Sequence, residues 1–163
     1  MSKNASWNNV QKKVDRIVDG LGKHVDKSIK ETVIALLVLD FSTSASCQGH
    51  LGKHGLPYPW IDITVPTPEG WREDDAKKTQ ISKELLHQER RIINYLEEFY
   101  AGRNTKYEAI LVPVRRGYRL RLCSIGTAIS ETLSLNQKRR KYGIYKKEMT
   151  DFAEFLKAKF FSE

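Results

Sequence analysis

The segment Ser42–Asp62, STSASCQGHLGKHGLPYPWID, gathers one thiol, two histidines, three glycines, two prolines and a tryptophan. Within it, Cys47, His50 and His54 are spaced C-x2-H-x3-H. Thiolate and imidazole are ligand types that zinc takes, and spacings this short let one loop fold around one ion. A structural zinc site needs a fourth ligand, which Cys123, His24 or His87 can supply only through the fold. A catalytic site needs three ligands and a water.

The same residues support other chemistry. A Cys47 thiolate beside His50 is a nucleophile if the imidazole lowers its pKa. Gly49 would let backbone N–H groups approach an oxyanion, and Asp62 or Asp40 could orient the histidine. The hydroxyls of Ser42, Thr43, Ser44 and Ser46, the amides around Gly49 and Gly52, and the donors of His50, Lys53 and His54 could instead cradle a phosphate. No P-loop or dinucleotide fingerprint accompanies them. Against all three stands a plain structural account: Cys47 as a small buried apolar group, with glycines serving a tight turn. Trp60, after Pro57-Tyr58-Pro59, either walls a pocket or plugs a sheet edge.

A second group is basic. Lys and Arg total 28 against 20 Asp and Glu, a net charge of +8, which favours an acidic partner such as RNA, a nucleotide or an acidic protein. Arg115, Arg116, Arg119 and Arg121 cluster on one hairpin, with Arg119 and Arg121 expected on the face opposite the core. With Tyr118 nearby, they could hold phosphates and stack a base. Lys138, Arg139, Arg140 and Lys141 form a second cluster.

These residues need elements to position them. Val10, Val14, Ile17 and Leu21 predict a first helix that ends at Gly20 and Gly22. A second begins near Asp26 or Ser28, where Ser28 and Glu31 have capping-box spacing. Strands are predicted at 41–46 and 60–65, then a helix from about Asp74 to Tyr100 with Gly102 as its cap. Strands at 108–114 and 118–124 flank a hairpin turn, and Pro113 places the first of them at an edge or a bulge. From Thr127 the chain is helical, interrupted at Gly143, with Tyr145, Met149, Phe152, Leu156 and Phe160 on one face.

The order α-α-β-β-α-β-β-α-α predicts a single α+β domain over 1–163, a small mainly antiparallel sheet of about four strands packed against helices. At this length roughly 70% of the unfolded surface can be buried. Two cysteines make no disulfide framework. No signal peptide is expected in the polar N-terminal stretch, and Val33–Leu39 is too short to span a bilayer, so a cytoplasmic protein is expected.

At STSASCQGH followed by PYPWIDI, the chain resembles a group of bacterial proteins that carry a Ser-Cys-x-Gly-His turn and then Pro-x-Pro-Trp. The resemblance extends to Glu97–Tyr100 and to the EMTDFAEFLKAKFF tail, and it implies no activity or catalytic residue. Ser46-Cys47-Gln48-Gly49 is also similar to the Ser-Cys-x-Gly turn of a tRNA wybutosine-synthesis protein, which has Arg where this chain has His50. That shorter likeness points to RNA.

Three functions remain open from sequence. The first is a module binding an anionic ligand or partner through the 42–62 loop and the basic hairpin. The second is a metal-dependent or thiol hydrolase centred on Cys47, His50 and His54, with zinc as its metal. The third is an interaction protein, or a homo-oligomer, that uses the C-terminal helix.

Overall fold

The computed structural model describes residues 2–52 and 55–162. Lys53 and His54 of the expected loop site lie outside the described residues. The chain forms α1 (Lys3–Arg16), α2 (Lys30–Val38), β1 (Ser42–Cys47), β2 (Trp60–Thr64), α3 (Asp75–Tyr100), β3 (Leu111–Arg116), β4 (Arg119–Ser124) and α4 (Leu135–Ser162). The strands make one antiparallel sheet in the order β1-β2-β4-β3, giving the expected α+β domain. Among the described residues, no helix is long and apolar enough to cross a membrane.

One sheet face carries the main core. Ile61 and Ile63 of β2 and Leu120 and Leu122 of β4 are fully buried with Val33 and Leu36 of α2, Leu85 and Ile92 of α3, and Phe152 and Leu156 of α4. The period-2 alternation of the strands and the helical stripes therefore meet in one apolar layer. Trp7 of α1 packs on Phe160 and Phe161 with ring centroids 6.1 and 5.6 Å away, so the C-terminal aromatics close the core against the first helix.

Several boundaries follow their local signals. Asp74 caps α3 by accepting the Lys77 N–H at 3.1 Å. Pro113 sits on β3, an edge strand, where its missing N–H costs the ladder least. Arg116 pairs with Arg119, which leaves a two-residue turn of Gly117 and Tyr118. β3 starts at Leu111 rather than Glu108, because Tyr107–Ala109 is a 3-10 turn. The Leu111 N–H is also held by Tyr100 Oη at 2.7 Å, which ties the end of α3 to the start of β3.

Other boundaries depart from expectation. α1 stops at Arg16, although Ile17 and Leu21 continue its apolar spacing. Asp19 Oδ1 accepts the N–H groups of Leu21 and Lys23 at 2.8 and 2.9 Å, and these local bonds favour a turn over helix. The Ser28–Glu31 capping box does not form: α2 begins at Lys30 with no side-chain cap. Ser28 Oγ instead donates to Gln48 Oε1 at 2.7 Å. The last helix runs straight through Gly143, and a 3-10 segment at Ile125–Thr132 precedes it. It starts at a capping box, Ser134-x-x-Gln137, with reciprocal bonds of 2.9 and 3.3 Å.

Candidate metal centre and its cavity

Cys47 ends β1, and the chain turns sharply at Gly49, whose φ is 89°. That left-handed conformation favours glycine. A Cβ at Gly49 would lie 2.7 Å from Tyr142 Cε2 and 2.7 Å from the Tyr58 carbonyl carbon. Tyr142 Oη also donates to the Gly49 carbonyl at 3.3 Å, so α4 clamps the turn from outside. The His50 N–H donates to Leu56 O at 2.8 Å and closes the loop base.

This turn swings His50 back toward the Cys47 sulfur, where a third group waits. One ligand atom each of Asp26, Cys47 and His50 lie within 4.8 Å of one another. Asp26 precedes α2 and was not foreseen as a site residue. Its Oδ2 accepts the Gln48 N–H at 3.0 Å and lies 3.9 Å from His50 Nε2. The Gly49 N–H points at Cys47 Sγ from 3.3 Å. An oxygen, a sulfur and a nitrogen donor, two of them already oriented by backbone N–H groups, are a set that can hold a metal ion. The cluster keeps Cys47 and His50 of the expected ligands and adds Asp26.

The electrostatics weigh against a free thiolate. Burial pushes the Cys47 thiol above its ordinary pKa; the Gly49 N–H opposes this, and the nearby Asp26 charge adds to it. A protonated thiol is a poor nucleophile. A bound cation would reverse that balance by favouring the thiolate.

The cluster lines one end of a cavity of about 480 Å³ between the 17–26 turn and the outer edge of β1. Ser44 and Ser46 line it, as does His24. Its charged lining is mixed: Lys23 faces Asp19, and Asp26 adds a further carboxylate. Ile17, Val18, Val25 and Val33 supply an apolar wall.

The remaining expected site residues lie elsewhere. Asp62 does not reach the histidine. It is completely buried and bound by Arg121, Nε to Oδ1 at 2.7 Å and Nη2 to Oδ2 at 2.9 Å. Arg119 adds a contact at 3.3 Å. Arg121 is itself only 9% exposed and lies 3.8 Å over the Trp60 ring. Arg119 and Arg121 do lie on the sheet face opposite the core, but Arg121 is locked there. Trp60 packs beside Tyr58, Cys123 and Tyr145 and is not in the lining of the β1 cavity. Arg115 and Arg116 are exposed at the hairpin end.

Asp40 occupies a turn with φ 59°, its carbonyl accepting from Arg91. His87 is exposed on α3. Cys123 is on β4, with β2 between it and Cys47. Two strand spacings, roughly 10 Å, exceed the ~7 Å reach of a disulfide, and both thiols are free.

A carboxylate 21 positions before the thiol (47 − 26) leaves no motif to search for. Comparison with protein-family models, with curated proteins and with solved structures finds no match.

Proposed function

We propose that this protein is a zinc-dependent hydrolase whose metal is held by Asp26, Cys47 and His50 and faces the cavity beside β1. The observation that carries the reading is the convergence of these three donors within 4.8 Å at the end of a 480 Å³ cavity. Three protein ligands with a position left for water or substrate are the pattern of a catalytic zinc site. Zinc held there supplies a Lewis acid that polarises a carbonyl and lowers the pKa of water to about 7.

The chain's own groups have separate tasks. Gln48 aims the Asp26 carboxylate, and Gly49 both aims the sulfur and permits the turn. His24, lining the same cavity, is placed to exchange a proton with substrate. The raised thiol pKa argues against the thiol-hydrolase alternative. The anion-binding alternative keeps Arg115 and Arg116 as exposed charges, while Arg121 is committed to Asp62.

The test is hydrolysis of activated esters and amides by zinc-loaded protein, by the chelator-treated form, and by Asp26→Asn and Cys47→Ser. Turnover that requires zinc and is lost in both variants supports the reading. Zinc binding without metal-dependent turnover on any ester or amide would leave a metal-binding protein and remove the hydrolase.

A further inference from the structure

We infer that the cavity accepts an extended peptide, which adds as a strand to the free edge of β1 and places a backbone carbonyl beside the Asp26–Cys47–His50 centre. This deepens the proposed hydrolase and rests on it for the chemistry at the metal.

The geometry begins with β1. Thr43, Ser44, Ala45, Ser46 and Cys47 all line the cavity. Successive side chains of a strand point to opposite faces. The register of β1 against β2 shifts at Ser44, between Thr43 and Ala45, so regular alternation holds from Ala45 to Cys47. A space that touches Thr43 through Cys47, on both sides of that shift, runs along the strand's edge, and residues 45–47 are the stretch that presents a regular backbone edge. β1 is the edge strand, with β2 as its strand neighbour, and none of its six residues is buried. The regular stretch 45–47 extends about 10 Å, enough for a short peptide to pair beside the metal centre.

An open edge is a hazard that proteins usually cover. Here the 17–26 turn lies across it but leaves about 480 Å³ between. The turn is internally braced by the Val18–His24 bridge and the two Asp19 bonds. It blocks a second sheet while leaving a slot for one chain.

The slot's lining matches a peptide better than a phosphate. Among the described residues, Lys23 is balanced by Asp19 and Asp26 adds a second carboxylate, so the described lining carries no excess of cations. Backbone recognition needs no net charge; main-chain hydrogen bonds give affinity and side-chain pockets give selectivity. Ile17 and Val18, 48% and 51% exposed, form an aliphatic wall opposite β1. That wall suits a valine-like or leucine-like side chain beside the bond that is cleaved. Hydrolysis there adds water across the amide: hydroxyl to the carbonyl carbon, proton to the departing nitrogen.

The test measures binding of a Val-Ala-Val-Ala-Val amide carrying fluorescein on its N-terminus by anisotropy. The full chain is assayed zinc-loaded and chelator-treated, with a copy of the peptide N-methylated at alternate residues as control. N-methylation removes edge hydrogen bonds, and losing two of them weakens binding by about tenfold or more. Val18→Asp, at a half-exposed position, is expected to weaken the unmethylated peptide similarly, with the circular dichroism spectrum unchanged. Equal affinity for both peptides, or no saturable binding to zinc-loaded protein, overturns the inference and leaves the metal reading intact. Discrimination between the peptides by a protein that binds no zinc upholds edge docking while the metal reading fails.

Discussion

The backbone N–H of Gln48 donates to Asp26 Oδ2 at 3.0 Å, so the residue that follows Cys47 aims the carboxylate standing beside its sulfur. Gln48 is held in turn, because its Oε1 accepts from both the hydroxyl and the N–H of Ser28, at 2.7 and 3.4 Å. The entry to α2 and the exit from β1 are thus stitched together at the candidate metal centre.

The Cys47 thiol should be slow to alkylate in metal-free protein. Its pKa lies above the ordinary thiol value, so the thiolate fraction at neutral pH is smaller than that of a free cysteine. Because the metal takes the thiolate, binding releases that proton, and apparent zinc affinity should rise by up to about tenfold per pH unit from this group. Alkylation rates with pH, with and without zinc, check both. Fast alkylation at pH 7 would contradict the protonated state.

Gly49→Ala should damage the site more than the fold. The substitution meets a positive φ and two 2.7 Å clashes, one of them with backbone. Strain of this kind costs roughly 1–3 kcal/mol. Zinc affinity should fall and Tyr142 fluorescence should change, while the helical signal by circular dichroism is kept. Wild-type zinc affinity would contradict the clamp.

Asp62→Asn should destabilise the domain strongly. It leaves the Arg121 guanidinium buried over Trp60 without its bidentate partner. Removing one member of a buried pair costs about 3–5 kcal/mol. Denaturant melts check the loss, and a change under about 1 kcal/mol would show that solvent reaches Arg121 readily.

Gly143→Ala should stabilise. The residue is exposed inside α4, and nothing lies within 4 Å of an added Cβ. Helix propensity gives about 0.8–1.0 kcal/mol. A higher Tm with unchanged zinc binding is expected; destabilisation would contradict an unbroken helix there.

The parts of this fold that were legible in sequence are those set by local periodicity. The α3 residues Ile81, Leu85, Ile92, Leu96 and Phe99 recur at helical spacing and are buried, and the hairpin and the edge position of Pro113 follow from Gly117 and from proline's missing donor. Cys47 and His50 were found because a glycine turn brings near neighbours together. Three misreadings share one cause, competition from partners distant in sequence or from side-chain bonds to the backbone. Asp19 ended α1 where Ile17 and Leu21 favoured continuing it. Gln48 took the hydroxyl of Ser28 from the helix cap. Asp62 took Arg121 from the surface, since alternation fixes which face a side chain occupies but not whether a partner waits there. Asp26 reaches the site through strand placement that no local pattern encodes.

Elemental analysis of untagged protein after equilibration with buffered zinc, alongside Asp26→Asn, Cys47→Ser and His50→Ala, tests the Asp26–Cys47–His50 centre itself. About one equivalent of zinc is expected in the parent chain, lost or sharply weakened in each variant. A parent chain that binds no zinc, or an Asp26→Asn variant that retains it at full affinity, would contradict the assigned centre.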